Sequence, residues 1–221
     1  LKGVDFTLKE GEALALIGPN GSGKTTLFNL ISGLLSPTSG SIRFQGEEIA
    51  GKSPHQICRL GIGRTFQLTS PFLEMSLLEN VLVGILFGRK VRLPLKEAEG
   101  EALELLQLVG MEGKAERPAK ALSLGQMKRL ELGMALSTKP KLLLLDEPLA
   151  GLDPAASQEI IALLKRINRE GISLFFIEHS LEAVLELTDR VMALHQGEVI
   201  AEGRPEAVIR DPHVVEAYLG E

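Results

Sequence analysis

The sequence Gly18-Pro19-Asn20-Gly21-Ser22-Gly23-Lys24-Thr25 has the spacing of a phosphate-binding loop: a glycine, four residues, and then Gly-Lys-Thr. Glycines let such a loop fold around phosphates so that successive backbone N–H groups point inward. Lys24 is then expected to reach the β- and γ-phosphates, and the Thr25 hydroxyl to ligate Mg²⁺. The stretch therefore predicts a nucleoside triphosphate site.

The residues on either side of this loop supply the strand and helix that such a loop needs. Ala13–Ile17 is a short apolar run suited to a buried parallel strand, and residues 26–31, beginning at Thr26, are compatible with a helix. The alternative is a glycine-rich turn that matches by accident. The strand–loop–helix order favours the nucleotide site, with Thr26 as its last residue.

Composition is typical of a compact α/β domain. The 221 residues can bury one substantial core, with or without an inserted subdomain. The chain is 44% apolar but only 4% aromatic, which favours the aliphatic packing of parallel sheets. A net charge of -5 gives no sign of a basic surface for nucleic acid, so we expect no nucleic-acid partner. The single cysteine excludes an intramolecular disulfide.

No apolar run reaches the length of about 18 residues that a membrane-spanning helix requires. The longest candidate, Leu77–Phe87, is interrupted by polar residues and a glycine. A signal peptide is not expected, because Lys9, Glu10 and Glu12 interrupt the N-terminal region. The chain starts at Leu1 rather than Met, and we expect a natural N-terminal segment to precede it.

Short aliphatic runs predict strands in residues 1–67 and in roughly 138–221. The runs are Ala13–Ile17, 41–44, 142–145, Ser173–Ile177 and the pair 191–194 and 198–201. Between these two parts, helical spacing over residues 97–109 and 126–136 predicts helices. The expected organisation is a single domain, with a core of residues 1–67 and 138–221 and a helical insertion at 68–137.

Two adjacent carboxylates, Asp146 and Glu147, follow a run of four leucines. The run predicts a buried strand that delivers both side chains to its C-terminal end, where open α/β sheets bind ligands. Asp146 would support Mg²⁺, through water, and Glu147 would act as the general base for the attacking water. The alternative is a solvated acidic pair at a strand end, which the phosphate loop makes the weaker interpretation.

The segment 122–126, Leu-Ser-Leu-Gly-Gln, directly precedes a predicted helix. Ser123 and Gln126 have the spacing of a capping box, and the exposed N–H groups of that helix end could receive phosphate. Taken alone, the segment is more simply an N-cap.

The phosphate loop, segment 122–126 and the acidic pair, in this order, resemble the ATP-binding subunits of ABC transporters. Ser123, Gly125 and Gln126 match the family's signature motif, and Leu124 departs from its commonest Leu-Ser-Gly-Gly-Gln form. The resemblance implies an α/β P-loop NTPase core with a mainly parallel sheet, an antiparallel β part and an inserted helical subdomain. It also implies a head-to-tail dimer in which each ATP lies between one chain's phosphate loop and the other chain's signature helix.

Three more positions match motifs of the same family. Gln67 resembles the Q-loop glutamine, which joins Mg²⁺ and water to the helical insertion, and Asp153 resembles the D-loop aspartate. His179 resembles the switch histidine, which would hold the γ-phosphate and help fix Glu147 and water. Asp153 has a second interpretation as the N-cap of a helix starting at Pro154, and both roles are compatible.

Within the ABC transporter family, the sequence most resembles the ATPase subunits of branched-chain amino-acid importers. It rests on residues 55–67, 78–84, 201–203 and 216–220, and importers of urea and other small amides have related subunits. The resemblance implies ATP and Mg²⁺ as ligands and a second ATPase subunit, identical or different, as partner. It also implies transmembrane permease subunits, an indirect link to a solute-binding protein, and a peripheral place on the cytoplasmic face of the cell membrane.

Two other function classes stay open from the sequence. A soluble or genome-maintenance ATPase of the same superfamily would be expected to carry a long coiled coil, and the insertion here is short. A non-hydrolysing nucleotide-binding module has no need for Glu147 and His179. Within the insertion, the apolar residues Leu68, Phe72, Leu73 and Met75 either line a groove for a partner helix or pack the insertion onto the core.

Overall fold

The computed structural model describes residues 1–65 and 71–219. A six-stranded sheet forms the centre, with the strand order β4-β5-β6-β1-β7-β8. Its strands are β1 Ala13–Ile17, β4 Ile62–Arg64, β5 Leu142–Asp146, β6 Ser173–Ile177, β7 Arg190–His195 and β8 Glu198–Gly203. Neighbouring strands run parallel except β7 and β8, which pair antiparallel. A separate antiparallel pair consists of β2 Arg43–Phe44 and β3 Glu47–Glu48.

Nine α-helices accompany the strands in the described part of the chain. They are α1 Lys24–Ile31, α2 Pro54–Leu60, α3 Leu77–Phe87, α4 Leu95–Leu108, α5 Leu124–Leu136, α6 Pro154–Arg169, α7 Leu181–Leu187, α8 Pro205–Ile209 and α9 Pro212–Leu219. A 3₁₀ turn at Ala119–Ala121 precedes α5. None of the helices within residues 1–65 and 71–219 has the length and apolarity to cross a membrane.

The central strands β1, β5 and β6 are buried along their whole length, because helices cover both faces of this part of the sheet. In β1, Ala13, Ala15 and Ile17 face one core, whereas Leu14 and Leu16 face the other. The first core includes side chains of α3 to α8, and the second includes side chains of α1 and α2. This is the α/β architecture that the sequence predicted.

The predicted strands and helices are present with small shifts in their ends. The run 41–44 is a strand only at Arg43–Phe44, and the helix predicted over 97–109 is α4, Leu95–Leu108. The elements that were not predicted are the strands β3 and β4 and the helices α2, α3, α7, α8 and α9. Phe72 and Leu73 are about half exposed, which favours the groove interpretation over core packing. Leu68 lies outside the described residues.

Candidate functional site

The phosphate-binding loop connects β1 to α1 at the C-terminal end of the sheet. Gly18 opens the loop with a φ of 150°, and a Cβ atom there would lie 2.1 Å from the Leu194 carbonyl oxygen and 2.8 Å from Ser22 Oγ. No side chain fits at that distance, so glycine is required at this position. Gly23, with a φ of 109°, turns the chain into α1.

Lys24 is buried and folds back over the loop. Its Nζ donates hydrogen bonds to the carbonyl oxygens of Gly18 (2.6 Å) and Pro19 (2.8 Å). Within the described chain, the buried Ser22 hydroxyl has no hydrogen-bond partner, which is costly unless a ligand supplies one. A cationic group and an unsatisfied hydroxyl on a glycine loop fit a bound phosphate. Thr25 is exposed and Thr26 half-buried at the start of α1.

Asp146 ends β5, and its side chain is as buried as that of Arg64 beside it, each 6% exposed. The two form an ion pair, with Arg64 Nη2 3.4 Å from Asp146 Oδ2. Burial raises the pKa of the Asp146 carboxyl, while Arg64 opposes that rise and Glu147 adds to it. The hydroxyl of Thr25 and the carboxylate of Asp146 are oxygen donors of the kind that Mg²⁺ prefers, so this donor set fits the metal.

Glu147 has a left-handed backbone, with a φ of 49° that is uncommon for a residue other than glycine. Its N–H donates to the Ile177 carbonyl oxygen (3.1 Å), and its Oε1 lies 3.2 Å from His179 Nε2. The structure therefore brings together the two residues predicted as base and switch histidine. Glu147 follows β5 and His179 lies just after β6, and β6 pairs in parallel with both β5 and β1. Both residues therefore lie at the edge of the sheet where the phosphate loop follows β1.

Glu178, between β6 and His179, is a residue that the sequence analysis missed. It is 4% exposed, and its two carboxylate oxygens accept hydrogen bonds from three backbone N–H groups. The donors are Leu149 (3.0 Å), His179 (3.1 Å) and Ser180 (3.4 Å). One carboxylate thus joins the loop after Glu147 to the loop that carries His179. A charged residue directly after an apolar strand was the available signal.

Arg64 is a second residue that the sequence did not single out. Besides its contact with Asp146, its Nη1 donates to Asn29 Oδ1 (2.8 Å) and Ser32 Oγ (2.8 Å) of the α1 region. The guanidinium also stacks over the Phe28 ring at 5.7 Å. Arg64 therefore links β4 and α1 to the predicted metal-supporting carboxylate, a link that depends on strand order.

The helix α5 begins at the predicted signature residues. Ser123 Oγ accepts from the Gln126 N–H (3.4 Å), and Gln126 Oε1 accepts from the Ser123 N–H (3.2 Å), which completes the expected capping box. Leu124 is half exposed, and its Cδ2 would lie 3.0 Å from a Cβ atom placed at Gly151. Its side chain therefore lies against Gly151, two residues before Asp153 of the same chain. Gly125 and Gln126 are partly exposed beside it.

Asp153 is the observed N-cap of α6, since its Oδ1 accepts from the Ala156 N–H at 2.9 Å. Its side chain is exposed, so the second role predicted for it, at the nucleotide site, stays a prediction. Gln67, predicted to contact Mg²⁺ and water, lies outside the described residues.

Two family models match this chain. One, described as ABC transporter, matches residues 1–150, and the other, described as branched-chain amino acid ATP-binding cassette transporter, matches residues 198–221. A high-affinity branched-chain amino acid transport ATP-binding protein, BraF of Pseudomonas aeruginosa, is 38% identical over all of this chain and 92% of its own length.

Solved structures of ATP-binding cassettes are also similar to this chain. The ADP conformation of MJ1267, an ATP-binding cassette of an ABC transporter, superposes with a TM-score of 0.91 at 38% identity, covering all of this chain and 92% of the other. The dimeric structure of the ATP-binding cassette MJ0796 in a post-hydrolysis state, bound to ADP and Pi, has a TM-score of 0.82 at 29% identity. It covers 93% of this chain and 90% of its own.

Proposed function

Because the chain belongs to the ABC transporter family of ATP-binding proteins, we propose that it is the ATP-hydrolysing motor subunit of an importer for branched-chain amino acids. The branch is supported by the second family model at residues 198–221 and by the full-length likeness to BraF. The contact of 3.2 Å between Glu147 and His179, at the edge that carries the phosphate loop, is the observation that carries the hydrolytic role.

In the proposed reaction, Lys24 binds the β- and γ-phosphates and leaves the loop carbonyls that it now contacts. Glu147 takes a proton from the attacking water, and His179 holds both the γ-phosphate and the Glu147 carboxylate. Thr25 and Asp146, with Gln67, would hold Mg²⁺, which offsets negative charge on the phosphates when it is bound. The remaining loop residues and Thr26 bind phosphate through backbone N–H groups and hydroxyls.

We further propose that the active form is a head-to-tail dimer with a second ATPase subunit. In it, Ser123, Gly125, Gln126 and Asp153 of one chain complete the nucleotide site of the other. The dimeric structure of the similar cassette MJ0796 supports the formation of a dimer. The dimer would bind transmembrane permease subunits at the cytoplasmic face of the membrane, and through them respond to a solute-binding protein.

The substitution Glu147→Gln tests the role of the base. Glutamine keeps the shape of glutamate but cannot accept the proton, so ATP binding should persist while hydrolysis falls by about a hundredfold or more. Turnover is measured by phosphate release, and binding by titration with a fluorescent nucleotide. ATP-bound dimers should accumulate, which size-exclusion chromatography with ATP detects.

The control is Lys24→Ala, which removes a charge-assisted phosphate contact and should weaken binding and turnover together. Hydrolysis by Glu147→Gln at the parent rate would show that another group is the base.

A further inference from the structure

The C-terminal helix α9 contacts the phosphate loop through one hydroxyl group. Tyr218 Oη accepts a hydrogen bond of 2.7 Å from the backbone N–H of Gly18, the residue that opens the loop. Val214 and Ala217, on the inner side of α9, are buried and fix the helix in place. The helix lies in residues 198–221, the part of the chain that the branch-specific family model matches.

Gly18 needs this partner because of where β1 ends. The last residue of β1 that pairs with a neighbouring strand is Ile17, so the Gly18 N–H lies one residue beyond the strand. Gly18 is buried, and a buried N–H without a partner is costly. The Leu194 carbonyl oxygen lies so close to Gly18 that a Cβ atom would not fit there.

We propose that Tyr218 is a positioning residue for nucleotide binding, through which α9 holds the first peptide of the phosphate loop. This inference rests on the proposed function and adds the C-terminal helix to the nucleotide site. Tyr218 acts on the loop backbone, and the loop in turn binds the phosphates.

The contacts of Lys24 explain why the hydroxyl should matter most when nucleotide is bound. In this structure, Lys24 Nζ holds the Gly18 carbonyl while Tyr218 holds the Gly18 N–H. When Lys24 turns to the phosphates, it gives up the carbonyl. The bond from Tyr218 then carries more of the restraint on Gly18, so its loss weakens the bound state more than the free state.

A cavity between the phosphate loop and α9 indicates that Tyr218 connects the two at a single place. A cavity of about 630 Å³ separates them, lined on one side by Asn20 and Ser22 and on the other by His213 and Glu216. Because that part of α9 stands away from the loop, Tyr218 bridges the gap near the end of the helix. A change at this hydroxyl should therefore reach the loop without repacking the core.

The test is Tyr218→Phe, which removes the hydroxyl and keeps the ring. We expect the Kd and KM for ATP to rise about fivefold, as for loss of one partly buried hydrogen bond, with kcat within about twofold of the parent. The exchange rate of the Gly18 amide proton, measured by NMR without nucleotide, should also rise by about three- to tenfold. The melting temperature of the variant should fall by no more than a few degrees, as for the loss of one hydrogen bond.

The matched control is Leu219→Ala, on the same helix and 80% exposed, which should leave all these values unchanged. An unchanged Kd for ATP in folded Tyr218→Phe protein would overturn the inference, and so would an equal rise in both variants. If the parent itself failed to bind ATP, the proposed function would fail. The exchange of the Gly18 amide would still decide whether Tyr218 holds the loop, because that measurement needs no nucleotide.

Discussion

At the scale of single residues, the backbone conformation of Glu147 determines where the proposed catalytic base lies. Its left-handed φ of 49° costs a residue with a side chain on the order of 1 kcal/mol. The hydrogen bond from its N–H to the Ile177 carbonyl helps to hold that conformation. The turn places the Glu147 carboxylate beside His179, so local strain and the proposed base occur at the same residue.

Glu178 provides a test of how that geometry is held. Replacing it with alanine removes the acceptor for the Leu149 and His179 N–H groups, so both loops at the site should shift. We expect kcat to fall by about ten- to a hundredfold, with the Kd for ATP within about twofold, because small misplacements cost mainly in the reacting step. Steady-state kinetics and nucleotide titration measure the two quantities.

Glu178→Gln, which keeps one acceptor oxygen, should recover part of the lost rate. The control Glu182→Gln changes an exposed glutamate nearby, at the start of α7, and should have no effect. A parallel loss of binding and turnover in Glu178→Ala would show a general loss of structure and contradict the positioning role.

Site residues that lie in one continuous segment could be predicted from the sequence. The phosphate loop, the acidic pair and the capping box are such segments, because their spacing alone reflects the backbone they form. Arg64 and Tyr218 could not be predicted, since each acts through a partner far away in the chain. Their contacts depend on the order of the strands, which no local pattern contains.

At the scale of elements, a largely buried ion pair joins the helices α3, α4 and α5. Arg89, just after α3, donates from Nη1 and Nη2 to the two carboxylate oxygens of Glu101 on α4, each at 2.7 Å. Its Nε also donates to the Ser137 carbonyl oxygen at the end of α5 (2.6 Å). One guanidinium thus fixes the ends of α3 and α5 against α4.

Glu101→Gln should lower the free energy of unfolding by about 2 kcal/mol at neutral pH, since it leaves a buried guanidinium without its carboxylate. The hydrogen bond from Arg89 keeps the pKa of Glu101 below its usual value of 4.5. The stabilisation is therefore present above that value and is lost as the pH falls through the lowered pKa. Urea unfolding should show that the difference in the free energy of unfolding between parent and variant becomes smaller as the pH falls through this range.

The exposed pair of Arg166 and Glu170 on α6 supplies the control. Glu170→Gln should change the free energy of unfolding by no more than about 0.5 kcal/mol. Equal effects of the two substitutions would mean that burial adds nothing to the Arg89 pair.

Elements with a strong period were predictable, and those without one were not. The amphipathic pattern of α4 and the apolar runs of β1, β5 and β6 gave correct types and nearly correct ends. By contrast, β4 has only three residues, and pairing with β5 defines it. The division of the chain into a core and an insertion at residues 68–137 stays a prediction.

At the scale of the whole molecule, the proposed dimer predicts complementation between two inactive variants. Ser123→Arg should block the partner's nucleotide site, whereas Lys24→Ala should disable its own. In a head-to-tail dimer, mixing them produces one doubly damaged and one intact site. Phosphate release should recover to about a quarter of the parent rate at most, because half of random dimers are mixed.

Each variant alone should be inactive, and this is the control for the mixture. If mixing restored no activity while mass spectrometry showed mixed dimers, the two residues would not act across the interface.

If the protein binds transmembrane subunits, we expect the exposed side chain of Phe72, which is 51% exposed, to contact them. Phe72→Asp should fold normally and keep its basal ATPase rate, but lose assembly with the transmembrane subunits or stimulation by them. Co-purification and ATPase assays of the reconstituted transporter measure these effects. The matched control is Phe87→Asp, at a residue that is 71% exposed. Normal coupling in Phe72→Asp would show that the contact surface lies elsewhere.

The strand order also determines when the protein can mature during synthesis. The central strand β1 leaves the ribosome well before its neighbours β6 and β7, with Ala13 paired to Leu174 and Leu14 to Arg190. The apolar β1 must therefore wait without its lateral partners while all the residues up to β6 and β7 are translated. Such long waiting exposes a nascent chain to aggregation and slows its folding. The phosphate loop, although translated before β6 and β7, therefore reaches its native form only after both strands have been made.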